Sequence, residues 1–155
     1  MGFYFLSLFL LNDFVSGELE HAIVNCDRET HPDVILIEGQ SALRNPSGPC
    51  GSELLCSGGA TGVILQHAIG REFFEGYEKE GFRIPSLANE ISLISHYNAR
   101  TLAITVNGGN VSNAQREVEQ MKLQSELCMP VVDPVREDIS KLVPVIRAFI
   151  AEQNQ

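Results

Sequence analysis

TLAITVNGG, Thr101 to Gly109, joins an unbroken strand-forming run to an Asn-Gly-Gly stop. The run reads as a strand, and so does the unbroken aliphatic Val34-Ile35-Leu36-Ile37, which is typical of a strand covered on both faces. Downstream, Ser112 and Gln115 have the spacing of a capping box, and Ala114, Val118, Met121, Ser125 and Cys128 recur at helical intervals. They predict a helix with that stripe turned to the core. Val131-Val132 reads as a short strand ending at Asp133-Pro134. Ile139, Leu142, Val143, Ile146, Phe149 and Ile150 then describe a terminal helix, kinked or restarted near Pro144. Upstream, Ser86 caps a helix whose Leu87, Ile91 and Ile94 share a face. Before it, GVILQ (Gly62–Gln66) is a strand ending at His67, and Gly70 to Pro85 is a long charged loop.

Further toward the start, Val34-Ile35-Leu36-Ile37 is another aliphatic run, stopping at Glu38-Gly39. Gly39, Pro46, Gly48, Pro49, Gly51, Gly58 and Gly59 punctuate a shaped loop with room for a short helix over Ser52–Cys56. Asp13 is placed to cap a helix with Val15, Leu19, Ala22, Ile23 and Cys26 as its stripe, closed by His31-Pro32. Strands alternating with helices predict an α/β domain: a three-layer parallel sheet with helices on both faces and right-handed crossovers. Residues 34–37, 62–66, 101–106 and 130–132 are the expected strands.

The chain has 155 residues, one domain's worth, with 44% hydrophobic and 20% charged residues, so a packed core is expected. The formal charge is −9, and neither half of the chain is basic. That excludes sequence-independent nucleic-acid binding and docking on an anionic membrane. Cys26, Cys50, Cys56 and Cys128 form neither a disulfide framework nor a zinc pattern, so reduced, mostly buried thiols and a cytoplasmic location are expected. Gly2 to Leu11 is apolar but about half the length of a membrane-spanning helix. It has no basic residue ahead of it and no cleavage pattern after it, which favours a buried strand, or a stretch whose natural partner lies further upstream, over a signal peptide.

In a parallel sheet, ligands sit beyond the carboxyl ends of the strands. That rule selects Glu38-Gly39-Gln40-Ser41, His67 to Arg71, Asn107-Gly108, and Asp133 to Arg136. Glu38 reads as a general base or a water-mediated metal ligand, or else as an acceptor for loop amides. His67 reads as an acid or base, or as a structural half-buried histidine. Arg71, after Gly70, offers a fork for a carboxylate or phosphate, or an ion pair with Glu72 or Glu75. Glu38, His67 and Arg71 are expected in one crevice. No GxxxxGK[ST] or GxGxxG occurs.

DVILIEGQSALRNPSG (Asp33–Gly48), GVILQHAIGR (Gly62–Arg71), the Pro85-Ser86 helix start, LAITVN (Leu102–Asn107) and PVVDPVR (Pro130–Arg136) stand in an order that resembles one family. It is the C-terminal domain of the DgcN-like D-glutamate N-acetyltransferases, long described as a domain of unknown function. NDFVSGELEHAI (Asn12–Ile23) matches its helix before the EGQ run. The resemblance implies a P-loop NTPase-like fold, akin to dethiobiotin synthetase, over residues 12–155, with 1–11 apart from it. Family members carry a phosphate loop ahead of that helix and a further N-terminal domain. The match therefore implies a partial domain, a fragment whose isolated chain is inactive.

The implied activity of the parent protein is acetyl transfer from acetyl-CoA to D-glutamate or a similar amino acid. Glu38 and His67 would be its catalytic proton acceptors, and Gly39, Gln40, Ser41, Gly70 and Arg71 its substrate contacts. Asn107, Asp133, Pro134 and Arg136 would hold the CoA or a nucleotide. Mg and ATP belong to the intact fold rather than to this chain, and the full-length protein is expected to be a homo-oligomer. A non-catalytic remnant or binding module, and an ATP-dependent ligase related to dethiobiotin synthetase, are the alternatives.

Overall fold

The computed structural model describes residues 12–39, 41–48, 51–109 and 111–153. Gln40, Cys50 and the Gly2–Leu11 segment lie outside them. The chain divides into two compact units, Met1–Ala60 and Thr61–Gln155.

In the first unit, α1 (Asn12–Thr30) has Asp13 inside the helix rather than ahead of it. Val15, Leu19, Ala22, Ile23 and Cys26 are half-buried along one side, as their spacing predicts. A left-handed His31 (φ 44°) ends the helix. α2 is the single turn and a half Gly51–Cys56, with Leu55 buried. The expected strand at Val34–Ile37 does not form: among the described residues this run joins no sheet. Its exposure alternates, Val34 at 40% and Leu36 at 81% against half-buried Ile35 and Ile37. A strand needs a neighbour's ladder, which an aliphatic run does not supply by itself. Ile37 instead packs beside Gly58 and Leu19, all within this unit.

In the second unit, β1 (Gly62–Ala68), β2 (Arg100–Asn107) and β3 (Val131–Val132) form a parallel sheet in the order β1-β2-β3. Three of the four expected strands are thus present and parallel. Between the pairs Val63–Thr101 and Ile64–Ala103 the register slips, leaving Leu102 as an extra residue in β2. From there on Leu65 faces Ile104 and His67 faces Val106. β1 runs two residues further than expected, so His67 lies inside the strand and not beyond it.

Helices cover both faces. α3 (Leu87–His96) starts at Ser86, whose hydroxyl accepts from the Asn89 amide, and it buries Leu87 and Ile94. α4 (Asn113–Leu127) opens with the predicted capping box of Ser112 and Gln115. Leu87 and Ile91 of α3 and Leu123 and Leu127 of α4 pack with Ile69, Ile104, Val106 and Val131. A 3-10 turn, Ile139–Lys141, leads into α5 (Leu142–Gln153), which places Leu142 and Ile146 against Ala103, Val132 and Ile64 on the other face. Pro144 sits in the first turn of α5, where a missing amide costs no helical hydrogen bond.

The stripe expected to bury α4 is on its outer side: Val118 is 59% and Met121 65% exposed, and Ala114, Ser125 and Cys128 are also exposed. The inward line is Arg116, Gln120, Leu123 and Leu127, at intervals of four, three and four. Two of these are polar because they bond backbone carbonyls at the strand ends. The Gly70–Pro85 loop is also more ordered than its charge implies. Phe73 and Arg83 form an antiparallel bridge, the Ile84 amide donates to Glu72 O at 2.9 Å, and Phe74 is buried. The cysteines depart from expectation too: Cys56 and Cys128 are exposed and Cys26 half-buried.

Candidate functional site

The carboxyl end of β1 delivers two of the expected residues to one place. Leu65, His67 and Ile69 alternate onto the face that α3 and α4 cover. The Ile69 amide donates to Asn107 O at 2.8 Å, so the ladder continues one step past β1. The chain then turns at Gly70 (φ +77°), where a Cβ would also stand 2.5 Å from Val111 Cγ1. Only glycine suits both demands. The Arg71 amide closes the turn on Ala68 O at 3.2 Å.

His67, Gly70 and Arg71 line a cleft of about 530 Å³ together with Arg83, Ser86 at the start of α3, and Leu127. Arg83 lies over the Phe73 ring, 4.8 Å from its centroid, and is ion-paired to Glu72. Arg71 Nη1 stands 3.4 Å from Glu75 Oε2, so the surface ion pair foreseen for it is present. Both pairs are solvent-exposed, and exposed pairs of this kind are worth about 0–1 kcal/mol, little enough for an incoming anion to displace. A second cleft, of about 450 Å³, lies along Ile69, Val111, Ala114, Gln115, Val118 and Glu119. His67 and Gly70 line both clefts. Burial pushes the His67 pKa below the usual imidazole range, and the Glu119 carboxylate opposes the shift without cancelling it. A neutral imidazole at neutral pH can accept a proton.

The ends of β2 and β3 are tied by a buried cation. Arg116 Nη1 donates to Asp133 Oδ2 at 3.0 Å and Arg116 Nη2 donates to Gly108 O. Asp133 is 3% exposed, and its other oxygen accepts from the Val135 amide at 3.1 Å. Gln120 Nε2 donates to Val131 O at 2.9 Å and to Glu137, which also takes Lys141. These donors, Lys141 first, hold the Glu137 carboxyl below its usual pKa. Asn107 Oδ1 accepts from the Gly109 amide at 3.1 Å. The Asp133 carboxylate therefore shapes this edge from within, whereas Asn107, Pro134 and Arg136 are exposed on it.

Glu38 and Gly39 are exposed and Ser41 half-buried in the first unit, and Glu38 does not end a strand. Among the described residues, no group of three or more His, Cys, Asp and Glu is placed to hold a metal. Arg83, Arg116 and Glu119 were not singled out in the sequence. Arg116 had one readable signal: it shares a helical line with Gln120, Leu123 and Leu127. No helix among the described residues is long and apolar enough to cross a membrane.

A family model described as "Domain of unknown function (DUF1611_C) P-loop domain" matches residues 8–143. A D-glutamate N-acetyltransferase from Pseudoalteromonas sp is 28% identical over 141 residues, which are 86% of this chain and 41% of that protein. The crystal structure of a DUF1611 family protein from Anabaena variabilis matches with a TM-score of 0.78 and 20% identity, over 90% of this chain and 42% of that one. The chain spans less than half the length of either relative.

Proposed function

The chain belongs to the DUF1611 family, as its α/β P-loop domain, and from that membership we propose that it works in an N-acetyltransferase acting on D-glutamate or a similar amino acid. The similarity to a D-glutamate N-acetyltransferase supports an acyltransferase relationship. The observation that carries the reading is His67, kept neutral by burial, in the same cleft as Arg71.

Acyl transfer to an amino acid needs a deprotonated amine and a held carboxylate. Arg71 meets the second need with a planar fork that matches two carboxylate oxygens. His67 meets the first by taking a proton from the substrate ammonium. The amine nitrogen then bonds to the thioester carbonyl carbon, the carbon–sulfur bond breaks, the departing thiolate recovers the proton from His67, and the nitrogen releases its second proton to solvent, leaving a neutral amide and a thiol. Asn107, Pro134 and Arg136, exposed at the ends of β2 and β3, are proposed to contact the phosphate-bearing end of acetyl-CoA.

Titration of the purified chain with D-glutamate, followed by amide chemical shifts, tests the amino-acid site. Shifts centred on His67, Gly70 and Arg71 are expected. Arg71→Ala should weaken binding by about 10- to 150-fold, the equivalent of about 1.5–3 kcal/mol for hydrogen bonds to a charged group. Binding that ignores Arg71, or shifts confined to other residues, would overturn the assignment.

A further inference from the structure

We propose that the cleft lined by Ile69, Val111, Ala114, Gln115, Val118 and Glu119 seats the uncharged pantetheine arm of the acyl donor, presenting its thioester to His67 from the side opposite Arg71. This rests on the acyl-transfer reading above and assigns to it a second binding surface.

The two clefts meet at His67 and Gly70 but differ in chemistry. The first has two guanidinium groups, Arg71 and Arg83, beside the carboxylates of Glu72 and Glu126. The second has no guanidinium: its walls are aliphatic, with one amide and one carboxylate. A carboxylate or phosphate placed there would approach Glu119 with no cation to offset the repulsion and desolvation. An elongated ligand with an apolar chain and neutral amide groups meets no such penalty. Its amides have Gln115 as a partner able both to donate and to accept. At about 450 Å³ the cleft is within the range of about 300–1,000 Å³ typical of small-ligand sites.

Continuity with the strand ends favours the same ligand. Val111, on the cleft wall, donates its amide to Gly108 O at 3.2 Å, and Gly108 directly follows the exposed Asn107. A donor with charged groups near Asn107 and Arg136 and a neutral arm along Val111 would end at His67. A two-substrate transfer needs this arrangement, because both reactants must reach one proton acceptor without sharing one pocket.

The test uses the 155-residue chain and reduced pantetheine, which has the arm without the phosphates. Amide chemical shifts should change at Ile69, Val111 and Val118. Ala114→Trp, an exposed substitution that fills the cleft, should weaken pantetheine binding at least tenfold, and Val118→Trp is the second variant should the first disturb α4. Met121→Trp, on the same helix but outside the cleft lining, should bind pantetheine as the wild type does. D-glutamate titrated into Ala114→Trp should behave as in the unsubstituted chain. No shifts at the cleft in the wild type, or unchanged pantetheine binding in both filled variants, would overturn the proposal. If Arg71-dependent D-glutamate binding survives such a result, only this second surface falls. Loss of that dependence with pantetheine binding intact would instead remove the amino-acid site.

Discussion

Arg116 and Asp133 meet at 3.0 Å across seventeen positions of sequence, with side chains only 10% and 4% exposed. The pair joins the helix after β2 to the turn after β3, and the same guanidinium holds Gly108 O. A buried ion pair is not a large net stabiliser, since desolvation offsets much of its attraction. Its effect is positional: it fixes two strand ends whose exposed neighbours, Asn107 and Arg136, are proposed to meet the acyl donor.

Removing one partner should therefore be costly. Asp133→Ala leaves the Arg116 charge buried without its counterion and should destabilise the chain by about 3–5 kcal/mol. Urea unfolding against the unsubstituted chain measures this, and a loss under about 1 kcal/mol would mean that the guanidinium finds water.

Gly108 and Arg116 should be energetically coupled. A Cβ on Gly108 would collide with Arg116 Nε, so Gly108→Ala must displace the guanidinium. In a double-mutant cycle, Arg116→Ala should cost clearly less in the Gly108→Ala background than alone, with a coupling of about 0.5–3 kcal/mol. Strict additivity would show that the loop moves instead of the arginine.

Stability should fall on mild acidification, with His67 as one cause. Its folded-state pKa lies below the ordinary value of 6.5, so below that pH the unfolded chain binds the proton more readily. The destabilisation sets in as pH drops through about 6.5 and levels off beneath the folded-state pKa. His67→Gln should flatten that part of a thermal-unfolding profile. An unchanged slope between about pH 7.5 and 5.5 would assign the effect elsewhere.

The two sides of α4 should respond differently to truncation. Leu123→Ala, against the Ile69 and Ile104 cluster, should cost about 2 kcal/mol, at the lower end for core leucines because the side chain is only partly buried. Met121→Lys, on the open side, should stay within about 0.5 kcal/mol of the wild type. Equal losses would mean that the exposed side is covered in solution.

The three paired strands were legible because buried parallel strands leave continuous aliphatic runs, and Leu87, Ile91 and Ile94 marked α3 by spacing alone. α4 misled for an equally physical reason. Its inward line contains Arg116 and Gln120, whose partners are the carbonyls of Gly108 and Val131, and no hydropathy pattern records a partner distant in sequence. Val34–Ile37 failed in the opposite direction: composition describes a segment, whereas a ladder needs two. At the cleft, His67 and Arg71 were visible as the residues following an aliphatic run. Arg83 was not, because it arrives on the return arm of a loop whose closure depends on the bridge to Phe73.

Leu102 also bears on how this gene can change in length. It is the residue that β2 has in excess, and pairing resumes in phase on either side of it. Loss of its single codon would turn an irregular ladder into a regular one and leave every flanking pair in place. A codon lost from Ile104 to Val106 would instead move the residues between Leu102 and the deletion by one position and turn them to the opposite face, setting Ala103, meant for the α5 layer, against α3 and α4. The bulge is thus a point of slack in length within a strand whose Ala103, Ile104 and Val106 are otherwise held in the core.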